Sequence, residues 1–179
     1  MKTRLLRKWT PILLTILFCI ISIISLTTMT HMQGNARAVN FAGIVRRATQ
    51  QLVKQEMHGV PNDELILYLD EIIVGLSVGN QEQGLTALPD TAFQDLITQL
   101  RQSWDQIKKE IQRVRRGANV EPLFDLSEAY FDLANRAVSA AEQYSENQVK
   151  HAKRILIYLN LCFIFLAVLF WLYGRRQKK

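Results

Sequence analysis

Cysteine is almost absent from this chain. Its two residues, Cys19 and Cys162, both fall inside apolar stretches, so neither a disulfide framework nor a zinc site follows from them. Histidine is as thin: His31, His58 and His151 are scattered, at loops or at the edges of the apolar runs, and read as surface residues rather than metal ligands. There is no Gly-rich phosphate loop and no nucleophile with a base beside it. No enzyme active site, metal or cofactor is expected. Acid is missing from both ends of the chain, because all 16 Asp and Glu lie between positions 56 and 146.

That last absence decides how the charge is read. The net charge is +6, which by itself would suit nucleic acid. Residues 30–154, however, hold 14 Lys and Arg against the 16 acids, a balance of −2. The excess sits in the tails: Lys2, Arg4, Arg7 and Lys8 at one end, Arg175, Arg176, Lys178 and Lys179 at the other. Basic tails around a near-neutral middle are a topology signal, not a polyanion-binding surface. No nucleic-acid partner is expected.

Two runs lack charge altogether, residues 9–30 and 155–174. Each is long enough, at 1.5 Å per helical residue, to cross a hydrocarbon core of about 30 Å. Trp9, Tyr158, Trp171 and Tyr173 sit near their ends, where interfacial aromatics belong. A cleaved signal peptide is the alternative for the first run. Its apolar part exceeds the usual ~7–15 residues, and the small residues around Ala36 and Ala38 lie too far beyond it. The expectation is two uncleaved spans, residues 11–29 and 155–174. Basic tails 1–10 and 175–179 would lie in the cytoplasm, and residues 30–154 outside it. The lipid bilayer is thus the first expected partner. Asn160 is the one strongly polar side chain within the second run. It would either hydrogen-bond across a helix pair or snorkel to the interface.

The middle segment has helical periodicity throughout. The first helix continues out of the first span to about residue 57, where His58-Gly59-Val60-Pro61 stops it. The second starts on Asn62-Asp63-Glu64 and runs to about residue 78 with a stripe of Leu65, Leu69, Ile72 and Leu76, widened by Ile66 and Ile73. Residues 79–90 form the longest break. Asp90 or Thr91 caps the third helix, whose Phe93, Ile97, Leu100, Trp104, Ile107, Ile111 and Val114 keep a 4-3 spacing over three heptads. Lys108, Lys109, Arg113, Arg115 and Arg116 gather near its end and read as charge complementing the helix dipole. The fourth starts near Leu123 and carries Leu126, Tyr130, Leu133, Ala137, Ala140 and Tyr144. It runs without Gly or Pro into the second span. Short connections between long amphipathic helices predict an all-α fold, an antiparallel four-helix bundle with both membrane connections at one end.

One stretch stands apart, residues 38–50. On a helix, Phe41, Val45, Ala48 and Leu52 share one face. Asn40, Gly43, Arg47, Gln50 and Lys54 share the opposite one, with Arg46 at its edge. Gly43 costs that helix roughly 1 kcal/mol relative to alanine. A polar face with such a glycine is either an ordinary wet face or one that meets a backbone or ligand closely. The stretch resembles the signature helix of the sensor domains of nitrate/nitrite sensor kinases and PilJ-type chemoreceptors, Asn-x-Ala/Ser-Gly-x-x-Arg-x-x-Ser/Thr-Gln. The match falls on Asn40, Ala42, Gly43, Arg46, Thr49 and Gln50. The sequence departs at Ile44, where nitrate sensors tend to have serine, and at Gln51, which lacks their second arginine, while Arg47 is an added charge.

The resemblance implies a sensor input module for transmembrane signalling that binds a small ligand outside the membrane, an anion such as nitrate among the candidates. It implies a homodimer, with Arg46 from each subunit on the ligand and Asn40, Gly43, Arg47 and Gln50 around it. The competing expectation for Arg46 is an ion pair with Glu56 or Asp132. Sensors of this kind continue into a kinase, a cyclase of cyclic dinucleotides or a methyl-accepting domain. Only five residues follow the second span here, so the output is expected in a longer or interrupted gene or in a separate cytoplasmic partner. The competing function is a scaffolding membrane protein whose bundle binds another protein.

Overall fold

A computed structural model describes the backbone of residues 2–176, and side chains except those of 1–10, 173, 174 and 176–179. Most of the basic tail residues, with Trp9 and Tyr173, lie outside the described side chains. The chain is all-helical: α1 (Lys2–Met57), α2 (Asp63–Val78), α3 (Thr91–Arg115) and α4 (Glu121–Arg176), with no strand among the described residues beyond a single bridge between Asn80 and Leu85. It divides into two compact units. One comprises Met1–Met32 and Asn147–Lys179, the other Gln33–Glu146. Helices α1 and α4, 56 residues each, contribute to both.

The helices begin and end where local chemistry requires. The Asn62 Oδ1 accepts from the Leu65 N–H at 2.9 Å, and the Asp90 Oδ1 accepts from the Phe93 N–H at 2.8 Å. Each caps an otherwise unsatisfied donor. Asp63 and Glu64 then place negative charge in the first turn of α2, where the dipole favours it. Gly117 closes α3 at φ 92°, a backbone state that side-chain-bearing residues avoid.

In the unit Gln33–Glu146 all four helices feed one core. The expected stripes of α2 and α3 are buried except for Leu65, Ile66 and Val114, which are only partly so. Trp104 is 1% exposed and meets the Tyr130 ring of α4 at 6.3 Å between centroids, tilted by 53°. Its indole N–H donates to the Asp70 carboxylate at 2.7 Å. On α4 the buried line is Leu123, Tyr130, Leu133, Ala134, Ala137 and Ala141, with Leu126, Ala140 and Tyr144 at its flanks.

Helix α1 departs from its expected face. Ala38, Ala42, Val45, Thr49, Leu52 and Glu56 form the buried line, whereas Phe41 and Ala48 are partly buried. The contact face is turned by about 50°, half of one residue's ~100° step. The turned face takes in two polar residues that apolar periodicity passes over, Thr49 and Glu56. Glu56, 3% exposed, accepts from Arg115 Nε at 2.8 Å and Nη2 at 2.6 Å. The basic cluster of α3 is likewise more than helix-end charge. Arg115 also reaches Asp63 at 2.7 Å, and Lys108 pairs with Asp70 at 2.6 Å. The Glu56 carboxylate raises the Arg115 pKa above its already high value, more than burial lowers it. Burial works against the Lys108 charge too, but its bonds to Asp70 and Asp105 leave that pKa raised.

Residues 79–90 are not a featureless break. The Asn80 Oδ1 accepts from the N–H groups of Glu82 and Gln83 at 3.0 and 3.3 Å, while Leu85 and Leu88 plug the end of the core. Arg37 of α1 donates to the carbonyls of Gln83 and Gly84.

The other unit holds the two apolar runs. The described residues contain two helices long and apolar enough to cross a membrane. Phe18 and Phe163 meet at 6.1 Å between centroids. The hydroxyls of Thr15, Ser22, Thr27 and Thr30 all donate to carbonyls of α1 itself, so they need no water. The Asn160 amide donates to the Leu156 carbonyl of its own helix at 2.8 Å rather than across a helix pair. Cys19 and Cys162 are free and exposed.

Candidate functional site

The signature residues of α1 do not stay together. Because the helix is turned, its polar stripe divides. Arg46 and Gln50 reach α4, while Asn40 and Arg47 are exposed. Gly43 lies between these two groups, and a Cβ there would meet nothing within 4 Å. No close approach inside the chain therefore requires this glycine.

Arg46 is half-buried. Its Nη1 donates to the Asn135 Oδ1 at 2.9 Å, and its guanidinium lies 5.9 Å from the centre of the Phe131 ring. Neither Glu56 nor Asp132 is its partner, because Glu56 is committed to Arg115. Among the described residues no carboxylate pairs with Arg46 or with its neighbour Arg47. A planar fork of five donors thus has one neutral acceptor and one ring face. Gln50 donates from its amide to the Ser127 carbonyl at 3.0 Å, which ties the next turn of α1 to α4.

Beneath this surface lie two hydroxyls the stripe did not suggest as a pair. Thr49 belongs to the signature, and Tyr130 faces it from α4. Both are buried, and neither oxygen has a hydrogen-bond partner other than the other hydroxyl. Burial pushes the Tyr130 pKa up, and the nearby Thr49 hydroxyl offsets this only in part.

A groove lies within the unit of the apolar runs. Met32, Val149, Lys153, Leu156, Ile157 and Asn160 line this groove of about 410 Å³. No group of three His, Cys, Asp or Glu side chains that could hold a metal occurs among the described residues.

Comparison with protein-family models, with curated proteins and with solved structures gave no match. The likeness of residues 38–50 to nitrate-sensor and PilJ-type domains rests on those residues alone. What the structure defines is a class: an all-helical protein with two helices apolar enough to span a membrane.

Proposed function

We propose that this chain is a membrane-bound sensor input module, set in a bacterial cytoplasmic membrane with both ends inside. The unit Gln33–Glu146 would lie outside as an antiparallel up-down-up-down bundle. The observation that carries this reading is the course of α1 and α4. Each is one unbroken helix that includes a charge-free run and a side of the polar unit's core. A ligand that alters how α1 packs on α4 then acts on the same two helices that enter the bilayer, and a shift of about 1–2 Å suffices for signalling. The order of contacts supports the bundle: Arg46 meets Asn135 and Gln50 meets Ser127, so the two helices run in opposite senses.

The ligand is a small anion, nitrate among the candidates, and Arg46 is its principal contact. An anion is a stronger acceptor than the neutral Asn135 carbonyl, so it competes for a guanidinium that lacks a carboxylate. Arg47 adds charge one residue on. Asn40, Gly43 and Gln50 flank these positions along the helix. The scaffolding reading draws on a different observation, an exposed apolar face of α2, taken up below.

Calorimetric titration of the full chain in detergent with nitrate, nitrite and small carboxylates tests the ligand. Binding is expected for at least one, and Arg46→Lys should weaken it by tenfold or more. Lysine keeps the charge but loses the fork, and a charged hydrogen bond is worth about 1.5–3 kcal/mol. Binding that survives Arg46→Lys unchanged removes Arg46 from the mechanism.

A further inference from the structure

Helix α2 is apolar on more sides than its packing uses. Its inner face carries Leu69, Ile72, Ile73 and Leu76. Its outer face carries Leu67, Val74 and Val78, which are 69%, 42% and 74% exposed. With Glu71 these residues fall at 4-3-4 spacing, the repeat by which one helix packs on another. Large apolar side chains exposed in a row on one helix face mark a candidate contact surface. Its acidic groups are Glu64, one turn before Leu67 and at the edge of the row, and Glu71 within it. Glu64 has no ion-pair partner among the described residues. Glu71 uses only Oε1, which accepts from the Asn80 and Gln83 amides.

The complement of that edge is on the same chain. The outer face of α1 exposes Asn40, Arg47, Gln51 and Lys54, and neither Arg47 nor Lys54 has an ion-pair partner among the described residues. The two helices can be aligned by height. Glu56 accepts from the Asn62 N–H at one end, and Arg37 bonds to Gln83 and Gly84, with Gly34 beside Thr86, at the other. Lys54 is therefore level with Glu64, Arg47 with Glu71, and Asn40 with Val78. Two copies anchored in one bilayer are related by a two-fold axis along the membrane normal, which preserves height.

We propose that the outer face of α2 is covered by α1 of a second copy, in an isologous dimer. Leu67, Val74 and Val78 pack on the Asn40, Arg47 and Gln51 face of the partner copy. Arg47 reaches Glu71 and Lys54 reaches Glu64 across the interface, each twice by symmetry. An unrelated protein would have to supply by chance the basic spacing that α1 already has at the right heights. This names the partner in the signalling reading and rests on that reading for the shared membrane.

The test uses two differently tagged full-length chains, with Cys19 and Cys162 changed to serine, co-expressed and oxidised in membranes. One carries Asn40→Cys and the other Val78→Cys, so the disulfide can form only between copies. The mixed product is expected, and charge reversal by Arg47→Glu should reduce it several-fold. Adding Glu71→Arg to the other chain should restore it. Leu67→Asp, in chains that keep both reporter cysteines, should abolish the mixed product with the helical circular-dichroism signal unchanged, because that side chain is exposed within its own chain. A disulfide between two Asn40→Cys chains, without the mixed product, would place α1 against α1 and overturn the proposal, as would no cross-linking at all. Neither outcome depends on an anion. A failed titration with positive cross-linking removes the ligand and keeps the dimer. An independent reporter of sidedness, described below, separates loss of the interface from loss of the membrane reading.

Discussion

Trp104 concentrates the stability of the polar unit in one side chain. It is buried, it stacks on Tyr130, and its N–H satisfies Asp70, which Lys108 also holds. Truncating a buried tryptophan leaves a cavity and typically costs about 3–5 kcal/mol. Trp104→Ala is expected to lower the thermal unfolding midpoint of the full chain followed by circular dichroism. Trp104→Phe should lose less, because it refills most of the volume and drops only the bond to Asp70, whose carboxylate keeps Lys108. Equal losses for the two would mean that the Asp70 bond, not packing, is what Trp104 supplies. The position was legible because a tryptophan in a 4-3-4-3 stripe has one place to go. Glu56, Glu110, Thr49 and Ser127 were not, although all are buried. The burial of Glu56 goes with Arg115, far along the chain, which no local pattern encodes; the Glu110 and Ser127 side chains bond only one turn away, to Arg113 and the Phe124 carbonyl, and no apolar repeat marks them. Arg46 shows the same limit. Its place at the edge of the stripe could be read from the sequence, but its Asn135 partner could not.

At the scale of elements, helix ends followed from capping residues and helix lengths from periodicity. The residues 79–90 did not, because a turn built on one asparagine side chain and two leucine plugs carries no repeat. Gly84, like Gly79, holds a left-handed backbone within it. It sits at φ 60°, and an added Cβ would collide with the Arg37 guanidinium. Gly59, at φ 72° with open space around it, is the natural comparison. Gly59→Ala should cost only the left-handed backbone term, roughly 1–2 kcal/mol. Gly84→Ala should cost more, because Arg37 must also leave the Gln83 and Gly84 carbonyls. Denaturant midpoints of the two variants measure the difference. If they are equal, the Arg37 contact contributes nothing net, as for many exposed pairs.

At the scale of the whole molecule, the distribution of charge carries the argument for sidedness. The first apolar run is preceded by four basic residues and followed closely only by Arg37, whereas the second is flanked by Lys150, Lys153 and Arg154 before and four basic residues after. On the proposed reading the second run has little preference of its own, and the first is expected to set the orientation. An enzyme reporter active only outside the cytoplasm should be active when fused at Gly117, in the exposed turn after α3, and inactive when fused at Lys179. Changing Lys2, Arg4, Arg7 and Lys8 to glutamine removes the stronger signal while leaving both runs as apolar as before. The Gly117 fusion should then lose much of its activity, with a matching rise at Lys179, because insertion now rests on a margin of four basic residues against three. An unchanged pattern would show that the tail does not decide orientation and that the second run does. Activity at Lys179 in the unaltered chain would put the polar unit, with Arg46 and the α2 face, in the cytoplasm, where an extracellular anion could not reach it.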